Sequence, residues 1–367
     1  MGTLVDFVFV RNDGRSVTFL GGADDMGLAS AGCPPCMGGA AKLDADSAKA
    51  LAGLTTTTDE CAEDIEGRAP GGPCASRRMI EALSSFIVAI DARGGTRSAA
   101  PSSPLLPSAE TPESRVVREA ASILGCGSES CVIAHPDFRQ YIVAIEHMPK
   151  SEVDLELETR FKAAGPRNTT ALTSNYDLDG TLMRWARVFS EFYPCPYTMM
   201  DFERTGTLFA RIDLRDVLSG TAPLNLGPGF GVVRRPSHCF GCILNTDVSS
   251  GDGKHWVAVF VDCRPDDPAT PWTVEYFNSV GNPPPKAVVR WMESRRAQLA
   301  AYRRDGGPVE SVPVSSMDHQ ESQTECGLYA LYFIRRRLEG TPYLFFREQL
   351  VPDAAMTAFR AHVFRAS

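Results

Sequence analysis

A cysteine becomes a nucleophile when its thiolate is stabilised and a base stands beside it. Cys326 sits where the first condition can be met. The residues before it, Asp318-His319-Gln320-Glu321-Ser322-Gln323-Thr324-Glu325, are polar and loop-like. From Gly327 the chain turns apolar at helical spacing, through Leu328, Tyr329, Leu331, Tyr332, Phe333 and Leu338. The pattern predicts a helix that starts at Cys326. Its free N–H groups and positive dipole end would favour a sulfur anion.

Six histidines are available as the base: His135, His147, His238, His255, His319 and His362. His255 opens the most strand-like run in the chain, Lys254-His255-Trp256-Val257-Ala258-Val259-Phe260-Val261-Asp262, behind a polar Gly/Ser/Asp-rich loop. A loop–strand edge is accessible yet rigidly supported, as a general base requires. His319 lies in a loop where no scaffold fixes it. The imidazole also needs an acceptor to orient it. Asp262 is about 23 Å further along the strand at ~3.3 Å per residue and faces the other way, which excludes it. The next strand ends Glu275-Tyr276-Phe277-Asn278-Ser279. If the two strands pair, the amide oxygen of Asn278 can accept the Nδ1–H of His255, a Cys-His-Asn arrangement. The plainer role for Asn278 is a turn residue before Val280-Gly281-Asn282-Pro283-Pro284. An oxyanion needs a donor besides the Cys326 N–H. Gln320 and Gln323 both qualify on composition.

The elements that must bring these residues together follow from periodicity and punctuation. Strands are expected at Cys239 to Leu244, His255 to Cys263, Trp272 to Phe277 and Val309 to Val314. Helices are expected at Glu113 to Leu124, from Asp177 to a stop at Tyr193-Pro194, at Lys286 to Arg304, from Cys326 to about Leu338, and at Asp353 to Phe364. Gly125 to Cys131 reads as a turn between helix and strand. A short strand-to-helix passage covers Arg211 to Leu218. Towards the N-terminus, a hairpin about Asn12-Asp13-Gly14 covers 4–20, and residues 42–54 and 76–91 have helical spacing. Without βαβ regularity the class is α+β. The Gly/Ser/Pro/Ala-rich stretch 93–112 reads as a linker, separating an accessory region, 1–112, from a core, 113–367.

The bulk properties set limits. The chain has 367 residues and a net charge of −8. That length suggests two or three domains, and that charge predicts no general affinity for nucleic acid. No apolar run approaches the length of a membrane span. The N-terminal residues lack the pattern of an export signal, so an intracellular location and mostly reduced cysteines are expected for the eleven present. Cys33-Pro34-Pro35-Cys36 and Cys239-Phe240-Gly241-Cys242 each have the spacing of half a zinc site. For Cys239 and Cys242, small buried strand residues are the preferred reading. No metal and no cofactor is expected. Arg234-Arg235, Arg295-Arg296, Arg303-Arg304 and Arg335-Arg336-Arg337 read as solvated helix faces, with docking to nucleic acid or an acidic partner as the alternative.

The order His255-Trp256, Asn278-Ser279-Val280-Gly281, Gln320 and, after five intervening residues, Cys326-Gly327-Leu328-Tyr329 resembles the cysteine proteases that cleave SUMO and other ubiquitin-like proteins. It also resembles their relatives in adenovirus and in large DNA viruses. Phe192-Tyr193-Pro194, Met200-Asp201-Phe202 and Cys239-Phe240-Gly241-Cys242 extend the likeness, which covers about 115–365. Most cellular members carry Asp where this chain has Asn278; the African swine fever virus type carries Asn. The resemblance implies a papain-like fold with a mixed central sheet flanked by helices, preceded by an N-terminal extension. It selects Gln320 over Gln323 as the oxyanion donor beside the catalytic Cys326, His255 and Asn278. Trp256 is implied as the wall of a narrow substrate slot that admits glycine. The implied activity is cleavage after glycine in viral structural polyproteins during virion maturation, in host cytoplasm and virion, without a membrane partner. The alternatives are an isopeptidase acting on ubiquitin-like conjugates and a catalytically idle scaffold.

Overall fold

The computed structural model describes residues 6–10, 16–20, 44–54, 59–65, 68, 71–92, 111–166 and 171–365. Its elements run β1 (Asp6–Val10), β2 (Ser16–Leu20), α1 (Ala45–Leu51), α2 (Arg77–Ala92), α3 (Pro112–Leu124), α4 (Glu129–Ala134), α5 (Pro136–Ala144), α6 (Lys150–Arg160), β3 (Ala163–Ala164) and α7 (Asn175–Val188). They continue with β4 (Phe192–Met199), α8 (Phe202–Thr205), α9 (Leu208–Arg211), α10 (Leu214–Ser219), β5 (Leu224–Asn225), β6 (Val232–Val233), β7 (Cys239–Asn245), β8 (Trp256–Asp262) and β9 (Trp272–Phe277). The last are α11 (Lys286–Tyr302), β10 (Val309–Val314), α12 (Cys326–Leu338), α13 (Phe345–Glu348), α14 (Asp353–Val363) and β11 (Phe364–Arg365).

Contacts divide the chain into two compact units. One takes residues 1–54, 191–222 and 236–359 and holds a five-stranded sheet in the order β10-β9-β8-β7-β4. The sheet is mixed: β8 runs antiparallel to β7 and β9, while β10 is parallel to β9 and β4 to β7. All of β7 is buried, and in β8 only Trp256 is partly exposed. Their near-continuous apolar runs are those of central strands covered on both faces. α12 packs across β8 and β7, and every one of its residues is buried. The Phe277 and Phe333 rings stack at 4.6 Å, which seats α12 against the end of β9.

β4 is a strand where the sequence suggested the close of a helix. β4 carries Pro194 and Pro196, and it is an edge strand bonded to β7 alone, where proline is tolerated. α7 accordingly ends at Val188, and its start is fixed by a capping box between Ser174 and Asp177.

The second unit takes residues 55–190, 223–235 and 360–367. It is largely helical, with Leu83, Phe86, Val132, Phe138, Ile142, Val153 and Phe161 in its core. α2 packs against α3, so the expected boundary near 112 passes through one core rather than between two. The stretch 93–110 between these helices lies outside the described residues, as do Cys33 to Cys36 and the Asn12-Asp13-Gly14 turn. β1 and β2 pair antiparallel, as that turn predicts. Gly125 caps α3 in the left-handed conformation, but α4, not a strand, follows. Two disulfides close here, Cys61–Cys74 and Cys126–Cys131, with Cα atoms 4.9 Å and 5.6 Å apart. The described cysteines are therefore less uniformly reduced than expected. No helix among the described residues is long and apolar enough to cross a membrane.

Candidate active site

His255 stands at the mouth of β8, delivered by a tightly bonded loop. Asn245 Oδ1 accepts from the backbone N–H groups of Asp247 and Lys254, at 2.9 Å each. Asp247 in turn accepts from the N–H groups of Val248 and Gly253 and pairs with Lys254 Nζ at 3.1 Å. The antiparallel register sets Phe277 opposite Ala258, so the residue after β9 reaches the start of β8.

Asn278 Oδ1 lies 2.8 Å from His255 Nε2 and accepts from the Val280 backbone N–H at 3.1 Å. A backbone N–H only donates, so the shared atom is the amide oxygen. Nε2 must therefore carry the hydrogen, which leaves Nδ1 as the basic nitrogen. The structure places the expected acceptor on the ring but corrects the expected nitrogen: Nε2, not Nδ1, meets Asn278. The other end of the amide, Nδ2, donates to the Tyr276 hydroxyl at 3.1 Å. Tyr276 and Asn278, two apart at the strand end, share a face.

Cys326 begins α12 and is 2 % exposed. Its sulfur accepts from the backbone N–H of Trp256, the residue after His255. Burial pushes the thiol up to about 11, with the Glu325 carboxylate acting in the same direction. The N–H groups of Trp256, Gly327 and Cys326 itself pull the other way. Burial likewise lowers His255 to about 4, against its bond to Asn278. The helix start does favour the thiolate, as expected, but desolvation of both partners outweighs it. The resting pair is thus a neutral thiol and a neutral imidazole.

Gln320 is buried in the loop that leads into α12. Its Nε2 donates to Ser322 O at 2.8 Å, and its Oε1 accepts from Ser279 Oγ at 2.7 Å. Ser279 O also accepts from the N–H groups of His319 and Gln320. Asp353 Oδ2 takes the Glu321 and Ser322 N–H groups, and Tyr329 Oη donates toward the His319–Asp353 cluster. Trp256 is partly exposed, with the Tyr197 ring edge-on at 6.0 Å.

Two sequence readings change here. His319 is not loosely held. It is 3 % exposed, with Nε2 3.0 Å from Phe346 O and Nδ1 accepting from the Val351 N–H at 3.2 Å. Arg335, Arg336 and Arg337 are buried rather than solvated. Arg337 pairs with Glu275 and Asp262 at 2.7 and 2.8 Å, and Arg335 with Glu339. Arg303 is buried too, bonded to Asp305 and to three backbone carbonyls. These arginines are structural, which removes much of the basis for a basic docking face. Cys239 and Cys242 are buried on β7, as their preferred reading had them, and three apart on a strand they point to opposite faces. Among the described residues no cluster of three or more His, Cys, Asp or Glu is placed to hold a metal.

A cysteine at a helix start, its sulfur on the N–H that follows a histidine oriented by a side-chain amide, has the parts a thiol hydrolase uses. Residues 242–366, which include all four expected catalytic positions, match the model of the Ulp1 protease family, C-terminal catalytic domain. A cysteine protease of African swine fever virus is 40% identical over 312 residues, 85% of this chain and 97% of that protein. A second isolate's version, named a SUMO-1 cysteine protease, is 41% identical over the same span. The crystal structure of the African swine fever virus protease superimposes with a TM-score of 0.67 at 38% identity, covering 86% of this chain and 98% of that one. The chain belongs to the Ulp1 protease family and is a cysteine peptidase of viral kinship. The matched span is longer than 113–367, so its relatives share part of the region first read as an extension.

Proposed function

We propose that the chain is an endopeptidase that cleaves after glycine, at Gly-Gly or Gly-x sites, in viral structural polyproteins during virion maturation. His255 Nδ1 takes the proton of Cys326 as the sulfur attacks the scissile carbonyl. The imidazolium, held by Asn278, then protonates the leaving amine, and water resolves the thioester. Gln320 and the Cys326 N–H hold the oxyanion. Removal of one such donor costs roughly 10²–10³ in kcat. The observation that carries the reading is the 2.8 Å contact between His255 Nε2 and Asn278 Oδ1, with the cysteine sulfur on the next residue's N–H. Trp256, partly exposed with Tyr197 at its edge, suits the wall of a slot that excludes a Cβ. The setting is host cytoplasm and virion.

A digest of a peptide library by the wild type and by Cys326→Ala tests this. Cleavage after glycine that disappears in the variant is expected. Cleavage that persists in Cys326→Ala, or that shows no glycine preference, overturns the corresponding part. The name of one relative favours a second reading, hydrolysis of ubiquitin-like conjugates. That reading requires an intact SUMO conjugate to be cleaved far faster than the peptides.

A further inference from the structure

An amide side chain orients a histidine only if it presents its oxygen. Turned over, Asn278 would set an NH2 group against His255 Nε2. The ring would then carry its proton on Nδ1, where it could not accept one from a thiol. Which end of Asn278 faces the ring is decided by a donor-only group, and the plane of the amide needs a second contact to hold it. The Val280 N–H fixes the oxygen end at 3.1 Å. At the other end Nδ2 donates to the Tyr276 hydroxyl, also at 3.1 Å. Tyr276 is 1 % exposed and Asn278 3 %, so water does not compete for this bond. An aspartate in place of Asn278 would have no wrong way round, since both of its oxygens accept.

We propose that Tyr276 is a positioning residue for the hydrolysis. Its hydroxyl oxygen receives the Asn278 amide N–H and so holds the plane of the amide, whose oxygen the donor-only Val280 N–H has already turned toward His255 Nε2. The inference rests on the reading of Cys326 and His255 as nucleophile and base. It reaches beyond that reading because it makes the choice of asparagine conditional on a hydroxyl two residues away. It also predicts that the two residues depend on each other rather than acting independently. Tyr276→Phe removes only the hydroxyl and keeps the ring that fills this part of the core, so the fold is conserved.

The test uses the full chain as wild type, Tyr276→Phe, Asn278→Asp and the double variant, with Cys326→Ala as control. The substrate is a fluorogenic Gly-Gly aminocoumarin peptide. The rate of iodoacetamide alkylation at the Cys326 peptide, followed by mass spectrometry, is the substrate-independent readout. With asparagine at 278, loss of the hydroxyl is expected to lower kcat and the alkylation rate about fivefold, with KM unchanged, on the scale of one buried hydrogen bond. With aspartate at 278 the hydroxyl would donate to the carboxylate instead, so its loss is expected to raise the acid limb of kcat/KM, a limb that stays in place when the same substitution is made with asparagine. No loss with asparagine, or an acid limb that moves equally in the two backgrounds, overturns the proposal. Undiminished hydrolysis by Cys326→Ala would instead overturn the catalytic reading on which it rests. Melting temperatures within a few degrees of the wild type confirm that folding is not what the substitutions changed.

Discussion

Replacing His319 by asparagine should flatten the acid side of the stability curve. Both ring nitrogens of His319 are occupied in the neutral form, one 3.0 Å from the Phe346 carbonyl and one accepting from the Val351 N–H. Burial lowers its pKa from the ordinary 6.5 to about 4. The unfolded chain therefore takes up a proton below about pH 6.5, and the folded chain takes it up only near pH 4. The stability owed to this group is present above 6.5 and is lost as the pH falls toward 4. At pH 5 the loss comes to about 2 kcal/mol, because about 1.5 pH units of that window have been crossed at about 1.36 kcal/mol each. That is a large part of a typical stability of roughly 5–15 kcal/mol. An asparagine at this position would keep an acceptor for the Val351 N–H but cannot titrate. The variant should cost about 1–3 kcal/mol at pH 7.5, where it leaves the Phe346 carbonyl unpaired, and less at pH 5. Urea midpoints by circular dichroism at the two pH values measure both numbers. Equal losses of stability in wild type and variant between pH 7.5 and pH 5 would show that His319 is not held neutral, and would refute this reasoning.

The remaining predictions concern the site and the core beneath it. Asn278→Asp places a carboxylate on His255, whose pKa now lies near 4. The acid limb of the kcat/KM profile should rise by about 1 pH unit or more, and an unmoved limb would separate that limb from His255. Arg337→Met leaves Glu275 and Asp262 in the core without the guanidinium that pairs them. It should cost about 3–5 kcal/mol in urea unfolding, and a loss under about 1 kcal/mol would refute the network's role. Gly253 has a φ of 94° two residues before His255, and a Cβ there would lie 3.1 Å from Asn245 Nδ2. Gly253→Ala should therefore cost about 1–3 kcal/mol and lower kcat by displacing His255, as melting and steady-state rates would report.

Much of the sheet was legible because its central strands carry unbroken apolar runs. β7, β8, β9 and β10 fall close to where Val, Ile and Phe cluster, and α12 starts at the residue where polarity gives way to helical spacing. β4 was hidden because proline disguises an edge strand. The helices between 129 and 160 were missed because α4 and α5 are short, and α6 is mostly charged, with only Val153 and Leu157 buried. At the site, residue types and order singled out His255 and Cys326. What they could not carry is rotation about side-chain bonds. The ring nitrogen that meets Asn278 depends on the Val280 N–H, and no spacing rule encodes that. His319 escaped for a similar reason, since its partners, Phe346 and Val351, lie far along the chain. The one accessible signal was Tyr276, whose place two residues before Asn278 on a strand implies a shared face. The arginine run was misread because three consecutive charges on a helix ordinarily cannot all be buried. Here Glu275, Asp262 and Glu339 make it possible.

The short segment Asn278-Ser279-Val280 has a consequence for how such a site can change. Asn278 meets His255, Ser279 holds the Gln320 amide through its hydroxyl and the Gln320 loop through its carbonyl, and Val280 fixes Asn278 while bridging to Asp318. Three adjacent peptide units thus set the aim of two groups that lie far apart in sequence. Their tolerances are coupled. An insertion or deletion of one residue here would misalign both together, whereas substitutions can adjust them one at a time. The segment should vary in composition and not in length.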